Sequence, residues 1–137
     1  MPVFSCGGMR YQQSWKDEDR EKISAENQQR VERCIERALE AGINHIETAR
    51  GYGSSEVQLG RILPAIPRDR LIVQTKVAPA KAEDFLKTFE TSLSRLRLDH
   101  VDLLGIHGIN TRELLDLTLQ KGGALEAGRK LQKEGRV

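Results

Sequence analysis

Apolar and polar positions along this chain follow two periods in turn, and their alternation predicts the elements. The stretch "NQQRVERCIERALEAG" repeats apolar residues at Val31, Ile35, Ala38 and Leu39, the one-sided stripe of a helix lying on a core. Asn27 is placed to cap its start and Gly42 to stop it. "NHIETA" then reads as a short strand, and "SSEVQLGRIL" as a helix capped by Ser54 or Ser55 and ended near Pro64 and Pro67. "RLIVQTKV" has the branched residues of a buried strand, and "KAEDFLKTFETSLSRLRL" puts Phe85, Phe89, Leu93 and Leu96 on one helical stripe. "VDLLGIH" is the fourth strand, the first lying in "PVFSCGGMRY". The closing segment "RELLDLTLQKGGALEAGRKLQKEG" divides into two helices at Gly122 and Gly123, since two adjacent glycines cost a helix interior about 2 kcal/mol.

A strand-then-helix unit repeated four times makes the strands parallel, with crossover helices between them. An open doubly wound sheet and a (β/α) barrel both satisfy this pattern. Eight such units take roughly 250 residues in a barrel, so a chain of 137 residues would form about half of one. The terminal "EGRV" reads as the entry to a fifth strand.

Composition narrows the class without changing the elements. Charged residues make up 31% and hydrophobic ones 38% of the chain, with a net charge of +2 spread over interspersed signs. No field of one charge is present to hold nucleic acid or an anionic membrane. No apolar stretch approaches the length of a membrane span, and the amino terminus lacks a signal-peptide layout, so the expected location is cytoplasmic. Cys6 and Cys34 have no metal-ligand spacing and are expected to be reduced, buried thiols. The run "KDEDREK" is expected to be solvated.

Candidate chemistry collects where parallel strands end, because loops vary there without disturbing the packed layers. The second strand delivers Glu47, with Tyr52 in the following loop. The third delivers Lys76 and the fourth His107. A lysine ammonium beside a tyrosine stabilises the phenolate and so makes the phenol a better acid. A carboxylate would hold that lysine, and a histidine N–H could orient or polarise a carbonyl oxygen. The four together make a proton donor for an oxyanion growing at a carbonyl. His45 and His100 read as structural, and Trp15 as either a pocket wall or an exposed loop residue. "GYGSSE" precedes a helix start as anion loops do but lacks their Gly-Lys-Ser/Thr ending.

The stretch "GINHIETARGYGSSEVQLGRIL", followed in order by "QTKV" and "LLGIH", resembles the signature of the aldo-keto reductases, and the likeness covers nearly the whole chain. The resemblance implies an α/β fold of parallel (β/α) units, about half of a TIM-type (β/α)8 barrel, with residues 1–137 as the amino-terminal half of one domain. It implies an oxidoreductase that reduces an aldehyde or ketone with NADPH. It assigns the proton donor to Tyr52, the lysine to Lys76, the histidine to His107 and the acid to Glu47, where the family pattern carries an aspartate. The extra methylene of Glu47 lengthens its reach to Lys76, and weaker activity is the expectation. Gly8, Met9 and Arg10 match positions beside the nicotinamide. The unpaired strand edges imply a fragment of a longer reductase or a homodimer that closes the sheet. A non-catalytic half-barrel, inactive or sensing the cofactor, is the alternative function.

Overall fold

The computed structural model describes residues 3–17 and 20–137. Four parallel strands form one sheet in the order β1-β2-β3-β4: β1 Ser5–Gly7, β2 His45–Glu47, β3 Ile72–Val77 and β4 Leu103–Ile106. Helices follow each strand in the chain: α1 Ala25–Glu40, α2 Ser55–Leu59, α3 Ala82–Leu96, then α4 Arg112–Leu119 and α5 Ala124–Lys133 after β4. The repeated β/α units are those read from the sequence, including the division between α4 and α5. Gly122 makes that division by adopting a φ of +72°, a conformation that glycine enters without steric cost.

Register fixes which side chains share a face. Ser5, His45 and Ile72 are level with one another, as are Gly7, Glu47 and Gln74, and Lys76 lies opposite Gly105 on β4. Along β3, Val73, Thr75 and Val77 are buried while Ile72, Gln74 and Lys76 are only half-buried, the period of two that a pleated strand imposes. The buried face packs against the helices. Ile46, Val73 and Val77 meet Val31 and Ile35 of α1, Phe85, Phe89, Leu93 and Leu96 of α3, and Ala127 and Leu131 of α5 in one apolar cluster. The opposite face carries Ser5, Gly7, His45, Glu47, Gln74, Lys76 and Gly105, and holds the candidate chemistry.

Four local expectations are corrected. The cap of α1 is Ser24, whose hydroxyl accepts from the Asn27 N–H at 3.2 Å, while Asn27 uses its own side-chain oxygen to accept from Gln58. The α2 helix stops at Leu59, well short of Pro64, and the next residue, Gly60, passes so close to the Arg95 carbonyl of α3 that a Cβ there would collide with it. Cys34 is exposed and Cys6 half-buried, since Cys34 lies on the flank of α1 rather than on its apolar stripe. Residues 136–137 form no strand, although the Val101 N–H donates to the Arg136 carbonyl at 3.1 Å beside the start of β4. Of the charged run, Glu18 and Asp19 lie outside the described residues.

Candidate active site

The backbone carries Tyr52 to β3 by continuing the ladder past the end of β2. The Thr48 N–H donates to the Gln74 carbonyl at 2.8 Å, the Arg50 N–H donates to the Lys76 carbonyl at 2.9 Å, and the Tyr52 N–H turns back to Ala49 at 3.0 Å. Gly53 then takes a φ of +52° against the Ser14 backbone, where a side chain would collide. The two serines expected as helix caps clamp this loop instead. The Ser54 hydroxyl accepts from the Gln13 N–H at 2.9 Å, and that of Ser55 donates to the Gly8 carbonyl at 3.1 Å and bonds Thr48 Oγ1 at 2.8 Å. Both serines are buried with their hydroxyls committed, so the loop offers no hydroxyl to an anion.

A buried carboxylate secures the same loop from the helix side. Glu56 accepts from Thr75 Oγ1 at 2.7 Å and lies 3.7 Å from Arg50, which is paired to Asp17; Asp17 in turn bridges to Arg95 of α3 at 2.7 Å. Burial pushes the Glu56 carboxyl above its ordinary range, opposed by the Thr75 and Ser92 hydroxyls and then by the Arg50 and Arg95 charges.

On the open face the four predicted residues come together. Lys76 and Glu47 form an ion pair, with 17% and 18% of their side chains exposed, so the longer glutamate does reach the ammonium. The other Glu47 oxygen accepts from the Gly8 N–H at 3.2 Å. Lys76 Nζ stands over the Tyr52 ring, 4.8 Å from its centroid, and the Tyr52 and His107 rings meet edge to face with centroids 5.5 Å apart. A cation over an aromatic face is attracted by the ring quadrupole. This contact is with the ring rather than a hydrogen bond to the hydroxyl.

Burial shifts the titration of two of the four. Burial first, and the Lys76 charge second, hold His107 below the ordinary histidine value. That value is about 6.5, so the imidazole is neutral at neutral pH, with one N–H to donate and one nitrogen to accept. Burial pulls the Lys76 ammonium below the usual lysine range, a shift that contact with a carboxylate opposes.

Reading from sequence missed the residue that makes room for this set. The Lys76 stem lies across Gly105 so closely that a Cβ there would stand 2.8 Å from Lys76 Cγ. A glycine inside an apolar strand run is the signal of such a close approach, and "LLGIH" displays it. Of the residues matched to cofactor contacts, Gly8 is buried and joined to Glu47, whereas Met9 is 43% exposed. Arg10 lines a separate cavity between β1 and α1. His45, one layer below the ion pair, is buried with both ring nitrogens engaged, by Ser5 Oγ at 2.7 Å and Gln74 Oε1 at 3.0 Å. His100 lies at the surface against Asp99, and Trp15 is exposed. Among the described residues no helix is long and apolar enough to cross a membrane.

With this geometry established, comparison with known proteins is specific. A profile of the Aldo/keto reductase family matches residues 4–137. An aldo-keto reductase of Mycobacterium ulcerans is 48% identical over 82 residues, 56% of this chain and 28% of its own length. The L-galactose dehydrogenase of Arabidopsis thaliana is 37% identical over 113 residues, 75% of this chain and 34% of its own. Among solved structures, the aldo-keto reductase MGS-M4 from a Medee basin deep-sea metagenome library superposes with a TM-score of 0.70 at 28% identity, covering 100% of this chain and 44% of that one. The aldo-keto reductase of Klebsiella pneumoniae, in complex with NADPH, gives 0.69 at 26% identity, covering 82% of this chain and 38% of that one. The chain thus spans about a third of the length of these curated relatives and under half of these solved structures, and its fold is that half of a (β/α)8 barrel.

Proposed function

The chain belongs to the aldo/keto reductase family, and from that premise we propose that it forms the amino-terminal half of a reductase domain that converts an aldehyde or ketone to an alcohol with NADPH. The observation that carries the reading is the convergence of Tyr52, Lys76, Glu47 and His107 at the ends of three neighbouring strands. The nicotinamide, when bound, supplies hydride to the carbonyl carbon. Gly7 leaves the end of β1 without a side chain beside Glu47, and the exposed Met9 adds apolar surface, a floor that suits a flat aromatic ring. Arg10 is the described cation nearest in sequence to that floor.

The chain's own residues handle the oxygen. Tyr52 gives its proton to the oxyanion that develops there, and the Lys76 charge stabilises the phenolate left behind. Glu47 holds Lys76 in place and is itself held by the Gly8 N–H. Neutral His107 donates its N–H to the carbonyl oxygen and orients it, while the T-shaped contact fixes the ring beside the phenol. The reading predicts loss of NADPH absorbance on addition of 4-nitrobenzaldehyde, and Tyr52→Phe abolishes this turnover with the circular dichroism spectrum intact. Turnover that survives Tyr52→Phe would remove the proposed donor.

The share of its relatives that the chain spans favours a second reading: a half-barrel that does not turn over unaided. NADPH titration separates the cases. Binding without turnover marks a cofactor-sensing module; no binding marks an inactive half.

A further inference from the structure

The reductase reading leaves one pair of nucleophiles unused. By strand alternation Cys6 points from β1 toward the helices, away from the face that carries Glu47, and it packs against the apolar cluster. Cys34 lies one helical turn beyond Val31 on α1, the helix covering that strand, and both thiols line one cavity of about 210 Å³ together with Tyr11, Arg10 and Arg30. The Tyr11 hydroxyl lies 2.7 Å from Cys6 Sγ and 3.0 Å from the Cys6 carbonyl. Burial, with the adjacent Cys6 thiol adding to it, pushes the Tyr11 phenol well up. Tyr11 therefore stays protonated as a donor toward Cys6. Burial, and then the nearby Cys6 sulfur, also raise the Cys34 thiol. Cys34 is exposed and Cys6 half-buried, so a small oxidant reaches the first and the second waits behind it.

We propose that Cys6 and Cys34 are a redox-modification site, in which a hydroperoxide converts the two thiols reversibly into an intrachain disulfide between β1 and α1. The exposed Cys34 sulfur attacks the peroxide oxygen; the S–O bond forms as the O–O bond breaks, and the thiol proton passes to the departing oxygen, giving a sulfenic acid and an alcohol or water. Cys6 sulfur then attacks Cys34 sulfur; the Sγ–Sγ bond forms and the sulfenic oxygen leaves as water with the Cys6 proton. Two thiols are oxidised by two electrons and one peroxide bond is reduced. A dithiol reverses the change. Because Cys6 immediately precedes Gly7 and Gly8, drawing its side chain onto α1 tightens the strand whose Gly8 N–H holds Glu47. This consequence rests on the reductase reading; the disulfide itself does not.

The test is intact-mass analysis of the 137-residue chain after brief treatment with hydrogen peroxide and quenching with N-ethylmaleimide, followed by non-reducing peptide mapping. The expected product is a monomer that has lost two hydrogens, takes up no maleimide, yields a linked peptide pair containing Cys6 and Cys34, and regains two maleimides after dithiothreitol. Cys34→Ser, an exposed change, should fold normally and keep Cys6 free to be alkylated after the same treatment. Oxygen-atom adducts on Cys34 with Cys6 still alkylatable would overturn the proposal, as would disulfide-linked dimers through Cys34. Either outcome would leave the reductase reading untouched.

Discussion

The two faces of the sheet solve different problems with the same strands. On the helix side, Ile46, Val73, Val77, Phe85 and Phe89 are buried almost completely, and each contributes about 1.5–3 kcal/mol by leaving water. On the other side the same strands, at the intervening residues, present Glu47, Gln74 and Lys76 in a half-buried layer. Burying a charged pair costs desolvation that its mutual attraction offsets only in part, so this layer adds little to stability. The difference teaches that one residue along the strand separates a side chain that packs in the core from one that faces the candidate site.

The comparison can be broken or sharpened by substitution. Phe89→Ala, on the packed face, should cost about 4 kcal/mol in chemical denaturation, the transfer loss of a buried ring plus its cavity. Glu56→Ala should cost about 2 kcal/mol by leaving the buried Thr75 hydroxyl without its acceptor, with the Tyr52 loop gaining amide exchange. Gly105→Ala places a methyl against Lys76 Cγ and should cost about 1 kcal/mol as overpacking, yet reduce NADPH-dependent reduction far more than it reduces stability, because it displaces the ammonium from Tyr52. The smallest effect concerns pH. Since His107 is held below its ordinary value, acidification from about pH 6.5 protonates the unfolded chain before the folded one. Stability is therefore lost as pH falls through that window and is unaffected above it. His107→Gln should lose less stability across the same window in paired urea titrations.

Much of this was legible in the sequence because period and order are local signals. The stripes of α1 and α3, the alternation along β3 and the break at Gly122 follow from spacing alone, and the order of Glu47, Tyr52, Lys76 and His107 carried the site. What escaped reading depends on pairs distant in the chain. Asn27 and Ser24 are both plausible caps by type, and only the placement of Gln58, which claims the Asn27 side chain, decides between them. Ser54 and Ser55 look like caps until the segment around Gln13 folds over them. The space under Lys76 belongs to Gly105, a residue whose meaning appears once β3 and β4 are side by side. Residue type alone makes Cys34 a buried thiol, and its position on the flank of α1 exposes it.

The claim that the open face is kept for chemistry and not for folding is tested most directly by one stability measurement. Glu47→Leu combined with Lys76→Met replaces the ion pair with apolar side chains of similar size. Chemical denaturation of this double variant should give a stability within about 1 kcal/mol of the parent chain. A loss of about 4 kcal/mol, equal to that of Phe89→Ala, would show that the pair holds the fold together and would contradict the account.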